Sequence, residues 1–158
     1  MSTQLENVYN FLQVSDSIAT AGQPVESQFT DIKAAGYEVV VNLALPSSTN
    51  AIANEQKIVE DLGMHYVHIP VLWEKPTLDD IERFFDVMQA NADKNIFVHC
   101  AMNMRVSAFM YLYRIIHEHI NTEVAKQDLQ KIWQPNETWQ QFIEKVIEHY
   151  QKQIRNSQ

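Results

Sequence analysis

Short β-branched and apolar runs recur along this chain with helix-length stretches between them, and this alternation restricts the fold more than any other feature. The runs are Ile18 to Ala21, Tyr37 to Leu43 (YEVVVNL), Met64 to Val71 (MHYVHIPV) and Asn95 to His99 (NIFVH). Each reads as a strand: the runs are shorter than an ordinary helix, and Tyr37 to Leu43 is apolar enough to be buried. Pro24 to Ala35 predicts a helix with proline in its first turn and Gly36 at its end. Asn50 to Leu62 predicts another, with Ile52, Ile58, Val59 and Leu62 inward and Gly63 as the cap. Thr77 opens a third as N-cap, with Asp80 at the reciprocal capping-box position and Ile81, Phe84, Phe85 and Met88 at helical spacing. Strands alternating with helices predict an α/β fold, a mainly parallel sheet of four to five strands flanked by helices on both faces.

The two ends differ from this middle. Leu5 to Leu12 predicts a short helix, followed by a turn at Ser15-Asp16. Beyond Cys100 the chain reads as extra C-terminal helices. Val106 to Ile116 is apolar almost all round and so buried on most sides. A further helix is predicted from Thr122 to Trp133. The last starts near Asn136, with a stripe of Trp139, Phe142 or Ile143, Val146 and Tyr150 that packs on the domain or on a partner. The 158 residues contain no repeat and no linker, so a single domain over 1–158 is expected, with a core of about 15–118 and a helical extension of about 119–158.

Composition removes several classes of function. A net charge of −8 argues against nonspecific nucleic-acid binding, which needs basic surface. No apolar run reaches membrane-spanning length. The polar N-terminus carries no signal pattern, so a cytoplasmic location is expected. One cysteine excludes an internal disulfide framework or a cysteine-cluster zinc site. His65 and His68 fall on opposite sides of a strand, and His117 and His119 diverge on a helix. These residues and His149 read as surface residues, and no metal or cofactor is expected.

The chemistry concentrates after the last strand, in Ile96-Phe97-Val98-His99-Cys100-Ala101-Met102-Asn103-Met104-Arg105-Val106-Ser107. In an open α/β sheet, ligands bind beyond the carboxyl ends of the strands. A loop entering a helix there points several backbone N–H groups at one place, which suits an anion. The helix dipole and Arg105 favour the Cys100 thiolate. Nucleophile, amide cradle and guanidinium then converge on a tetrahedral oxyanion. Taken alone, a cysteine at a strand end is a small buried hydrophobe; His99 and Arg105 at loop spacing distinguish Cys100 from that. Met102 and Met104 flank the loop as an apolar rim or as core filler.

His-Cys, a short loop, Arg and a following helix resemble the signature of the cysteine-dependent tyrosine and dual-specificity phosphatases. More closely, the chain resembles a small bacterial phosphatase-like family also found fused to metallo-β-lactamase-like hydrolases. The segments that carry this are Ala21-Gly22-Gln23-Pro24, Val39 to Leu43, Gly63 to Val71 and the Cys100 loop, over roughly 15–118. The resemblance implies that Cys100 is the nucleophile and Arg105 the oxyanion clamp. It implies that the amides of Ala101, Met102, Asn103, Met104 and Arg105 line the cradle and that His99 buttresses the loop. A phosphocysteine is then hydrolysed by water, without a metal. The general acid is expected on the loop from Leu72 to Thr77, as Glu74, with Asp79 second; as ordinary residues, Glu74 is solvated and Asp79 complements a helix dipole. Gln23 and Asn42 resemble family positions near the loop, or serve as a turn residue and a strand-end hydrogen bond.

The sequence departs from the phosphatase pattern in three places. Ordinary tyrosine phosphatases place five residues between Cys and Arg, whereas here there are four, a spacing shared by the small bacterial family and by rhodanese-like sulfurtransferases. Asn103 stands where such loops carry glycine, and asparagine tolerates left-handed backbone. Val106 follows Arg105, with Ser107 one place beyond the usual hydroxyl, which weakens activation of the leaving thiolate. The expected activity is hydrolysis of a phosphorylated protein or small phosphomonoester. The alternatives are a sulfurtransferase carrying a Cys100 persulfide, or an inactive phosphate-binding or interaction module. The sequence leaves the oligomeric state open.

Overall fold

The computed structural model describes residues 2–156. Its five strands are β1 (Leu12–Gln13), β2 (Ile18–Ala21), β3 (Val39–Asn42), β4 (His65–His68) and β5 (Ile96–His99). They form one sheet in the order β1-β2-β5-β3-β4. Strands β2, β5, β3 and β4 run parallel, and β1 closes one edge antiparallel to β2. The helices are α1 (Gln28–Ala34), α2 (Glu55–Asp61), α3 (Leu78–Ala90), α4 (Met104–Ile116), α5 (Thr122–Ile132) and α6 (Glu137–Asn156), after a 3-10 helix at Ser2–Asn7. This is the α/β architecture that the alternation predicts.

Strand pleating sorts the core into two layers. Val39, Val41, Ile96 and Val98 face α3 to α6, while Val40 and Phe97 face Leu5, Phe29, Ile32 and Val59. Helix α4 is buried from Arg105 to Arg114, as its all-round apolar pattern requires. The C-terminal helices pack on the domain: Trp139 and Val146 are fully buried in the same layer as Phe109 and Leu112. Register then positions the site, because Ala21 and Asn42 flank His99 at the carboxyl end of the sheet.

Several predicted boundaries shift. The expected helix over Leu5 to Leu12 is a 3-10 helix ending at Asn7, and Leu12 belongs to β1. Asn10 turns the chain between them with φ +52°. Pro24 lies outside α1, which begins at Gln28, and Gln23 before it gives its N–H to the Ala101 carbonyl. Helix α2 starts at Glu55 rather than Asn50, whose side chain instead reaches Ala101. Gly36 and Gly63 follow their helices with φ +98° and +86°, the left-handed geometry expected of them. The Thr77–Asp80 capping box is formed in both directions. His117 departs from expectation: it ends α4 and packs on Phe85 at a ring distance of 4.6 Å, so it belongs to an aromatic cluster rather than the surface.

Candidate active site

The segment between β5 and α4 turns on Asn103, the N-cap of α4, at φ +67° and ψ +1°. Asparagine sustains this left-handed conformation, and its buried Nδ2 donates to the Asn10 carbonyl at 2.9 Å and the Thr20 hydroxyl at 3.1 Å. The loop is thereby fastened to β2 and to the turn before β1.

The loop's hydrogen bonding is one-sided. Its carbonyls are tied outward. Cys100 O meets His99 Nδ1 at 3.4 Å, and Ala101 O accepts from Gln23 N and Asn50 Nδ2, both at 3.1 Å. Met102 O accepts from Asn10 Nδ2 at 3.0 Å, and Asn103 O and Met104 O accept from the N–H and hydroxyl of Ser107. The antiparallel bridge between Gly22 and Met102 turns the Asn103 N–H toward Ala21, while the N–H groups of Ala101, Met102, Met104 and Arg105 find no acceptor among the described residues. Free donors at a helix N-terminus form an anion-binding concavity.

Cys100, Ala101, Met102, Met104 and Arg105 line one open pocket of about 140 Å³ together with Trp73. Cys100 is free and only 1% exposed. Arg105 lies in the first turn of α4, where its Nη1 donates to the Val71 carbonyl at 2.9 Å. That bond holds the guanidinium at the pocket wall. Met102 and Met104 form the apolar rim, with Met102 43% exposed.

Behind the loop lies a buried polar network. His99 Nε2 meets Glu55 Oε2 at 2.6 Å, and Gln23 Nε2 donates to Glu55 Oε1 at 2.7 Å. Burial works to raise the Glu55 carboxyl, but the His99 charge and hydrogen bonds from His99, Gln23 and Tyr66 outweigh it and hold it below the usual carboxylate range. The Tyr66 phenol is pushed upward by burial and by the Glu55 charge. Asn42 donates to the Tyr66 hydroxyl and accepts from Ala44 N–H, so it closes the end of β3 as well as joining the network. Glu55 was not among the sequence candidates. Its signal was nonetheless present, as a carboxylate on the inward stripe between Ile52 and Val59.

Residues 6–149 match the family described as DSP-PTPase phosphatase fused to NAD+ kinase. The chain belongs to that family. The match extends beyond 15–118 and takes in α5 and most of α6, so the phosphatase likeness includes helices that the sequence signature left outside. Among solved structures, the chain is similar to a DUF442 protein of Shewanella putrefaciens CN-32 that carries a phosphatase name, at 34% identity and a TM-score of 0.86, covering 95% of this chain and 99% of that one. PTPMT1 in complex with PI(5)P shares the fold at 10% identity and TM-score 0.77, over 91% and 98% of the two chains. The catalytic core of the S. cerevisiae PP-IP phosphatase SIW14 does so at 14% and 0.72, over 92% and 93%. No curated protein matches the chain. These relationships place it in the cysteine-dependent tyrosine and dual-specificity phosphatase superfamily.

The remaining candidates of this phosphatase-family chain are dispersed. Glu74 is exposed in the turn beside Trp73, and Asp79 is exposed in the first turn of α3; neither lines the Cys100 pocket. Trp73 does, and it is held from behind by Trp133 and Trp139 at ring distances of 5.3 and 5.7 Å, with Trp139 Nε1 donating to the Trp73 carbonyl at 2.9 Å. The Ser107 hydroxyl is committed to Met104 O and Trp133 Nε1. His68 Nε2 lies 2.6 Å from the Ala44 carbonyl. Among the described residues, no group of three or more His, Cys, Asp or Glu is placed to hold a metal ion, and no helix is long and apolar enough to cross a membrane.

Proposed function

We propose that this single domain, in the cytoplasm, hydrolyses a phosphomonoester on a protein or small molecule through a phosphocysteine at Cys100. The carrying observation is the one-sided loop, whose carbonyls are tied outward and most of whose amide hydrogens are free around Cys100 and Arg105. The loop amides and Arg105 bind the three peripheral phosphoryl oxygens, whose charge must be stabilised in transfer. Cys100 Sγ attacks phosphorus, the P–O bond to the leaving group breaks, and Glu74, or Asp79, protonates the departing oxygen. Water then attacks phosphorus and gives a proton back to that carboxylate, the S–P bond breaks, and the thiolate and inorganic phosphate are released. No step requires a metal. The apolar rim of Trp73, Met102 and Met104 suits a single phosphate on an apolar or aryl leaving group.

Phosphate release from an aryl phosphate tests this reading. Wild-type protein releases phosphate at a rate unaffected by a chelator, and Cys100→Ser abolishes release; equal rates in the two proteins would refute it. Glu74→Gln lowers the rate for poor leaving groups more than for good ones, and if Asp79→Asn does so instead, the acid is Asp79. A second reading, a phosphate-binding module with little turnover, is favoured by the committed Ser107 hydroxyl. Rapid formation of phosphocysteine without its hydrolysis would select that reading.

A further inference from the structure

The buried network behind the loop contains a charge pair that the proposed reaction does not use directly. Glu55 and His99 are 4% and 0% exposed and come from α2 and β5. We propose that Glu55 is a positioning residue for the Cys100 loop: its carboxylate fixes His99 as an imidazolium next to the nucleophile and, through Gln23, anchors the Ala101 peptide. This rests on the phosphatase reading only for its consequence in catalysis.

The argument is one of donors and acceptors. His99 Nδ1 faces the Cys100 carbonyl, which can only accept. His99 Nε2 faces Glu55 Oε2, and an ionised carboxylate can only accept as well. Both ring nitrogens therefore carry hydrogen when Glu55 is ionised. Gln23 donates its Nε2–H to Glu55 Oε1, and its own N–H goes to Ala101 O. Tyr66, fixed by Asn42, presents its hydroxyl to the same carboxylate. Each neighbour is thus arranged for a negative Glu55. The titratable group facing the pair is Tyr66 on β4, with His68 beyond it; Phe29 of α1 meets the imidazole edge-on. A buried carboxylate so supplied with donors costs little to ionise, and it returns a fixed cation to the base of the loop. That cation stabilises the thiolate and the incoming phosphate, while the Ala101 carbonyl is turned away from both.

Two measurements that need no turnover test the proposal, so failure of the phosphatase reading would leave them intact. In the wild-type protein at pH 7, ring-nitrogen NMR shifts of His99 should report both nitrogens protonated. A neutral ring at pH 7 overturns the proposal. In Glu55→Gln, the amide removes the charge at nearly constant shape, and alkylation of Cys100 by iodoacetamide at pH 6 should slow about tenfold. Cys100 is the sole cysteine, so the readout is unambiguous. Unchanged or faster alkylation in a variant with wild-type circular dichroism overturns the proposal. If the variant does not fold, the NMR result on the wild-type chain decides.

Discussion

At the residue scale, the left-handed turn at Asn103 and the guanidinium of Arg105 shape the site. Asn103 supplies backbone geometry and two donated bonds, the one to Thr20 buried, whereas its Oδ1 has no partner among the described residues. Asn103→Ala should therefore lose both bonds and add about 1 kcal/mol of left-handed strain, for a total of about 3 kcal/mol. Asn103→Gly should lose the bonds alone and be about 1 kcal/mol more stable than the alanine variant, as read by urea unfolding. Equal stabilities would show that strain does not govern this position. Arg105→Lys replaces a planar fork with a point charge, and kcat/KM for an aryl phosphate should fall about 100-fold with the fold intact. Both residues were legible in the sequence because strand, cysteine, loop and arginine are contiguous. Glu55 was not, since its partner His99 lies far along the chain and only the fold brings α2 against the end of β5. A carboxylate on an otherwise apolar stripe was the visible trace of it.

At the element scale, helix and strand types were legible and their limits were not, for a consistent reason. Boundaries moved where the chain serves the loop instead of starting a helix: the Asn50 side chain bonds to Ala101 rather than opening α2, and Gln23, just before the expected start of α1 at Pro24, gives its main-chain N–H to Ala101. The C-terminal helices have a related role that their amphipathic stripes could not disclose. Trp133 and Trp139 clamp Trp73, a wall of the Cys100 pocket, so the extension supports the site from outside it. Trp139→Phe keeps an aromatic ring but removes the 2.9 Å bond to the Trp73 carbonyl. KM for an aryl phosphate should rise about fivefold with kcat nearly unchanged, the equivalent of one net hydrogen bond. Unchanged KM in this variant would show that Trp73 holds its place without α6.

At the scale of the whole molecule, ionisable groups shifted on folding set how stability follows pH, and their signs differ. Glu55 and Asp128 are held below the ordinary carboxylate range although burial opposes it: Glu55 by His99, Gln23 and Tyr66, Asp128 by Lys131 and Arg114. A group depressed in the folded state binds its proton more readily when unfolded. Its stabilisation is present above the unfolded value and is lost as pH falls through the folded one. Glu118, exposed just after α4, is raised by the partial desolvation of its carboxyl against the pull of Arg114, and solvent keeps its weight small. It costs stability when ionised, and that cost is relieved as acidification protonates it. From pH 7 downward, the melting temperature should first hold or rise slightly, then fall below about pH 4.5, the unperturbed value from which Glu55 is lowered. Glu55→Gln combined with Asp128→Asn should be less stable at pH 7 and show a shallower acid limb, because neither replacement titrates. A limb as steep as that of the wild type would place the acid sensitivity in other carboxylates. Since Glu55 also anchors the Cys100 loop through His99 and Gln23, loss of phosphate binding should begin on the same acid limb, before global unfolding is complete.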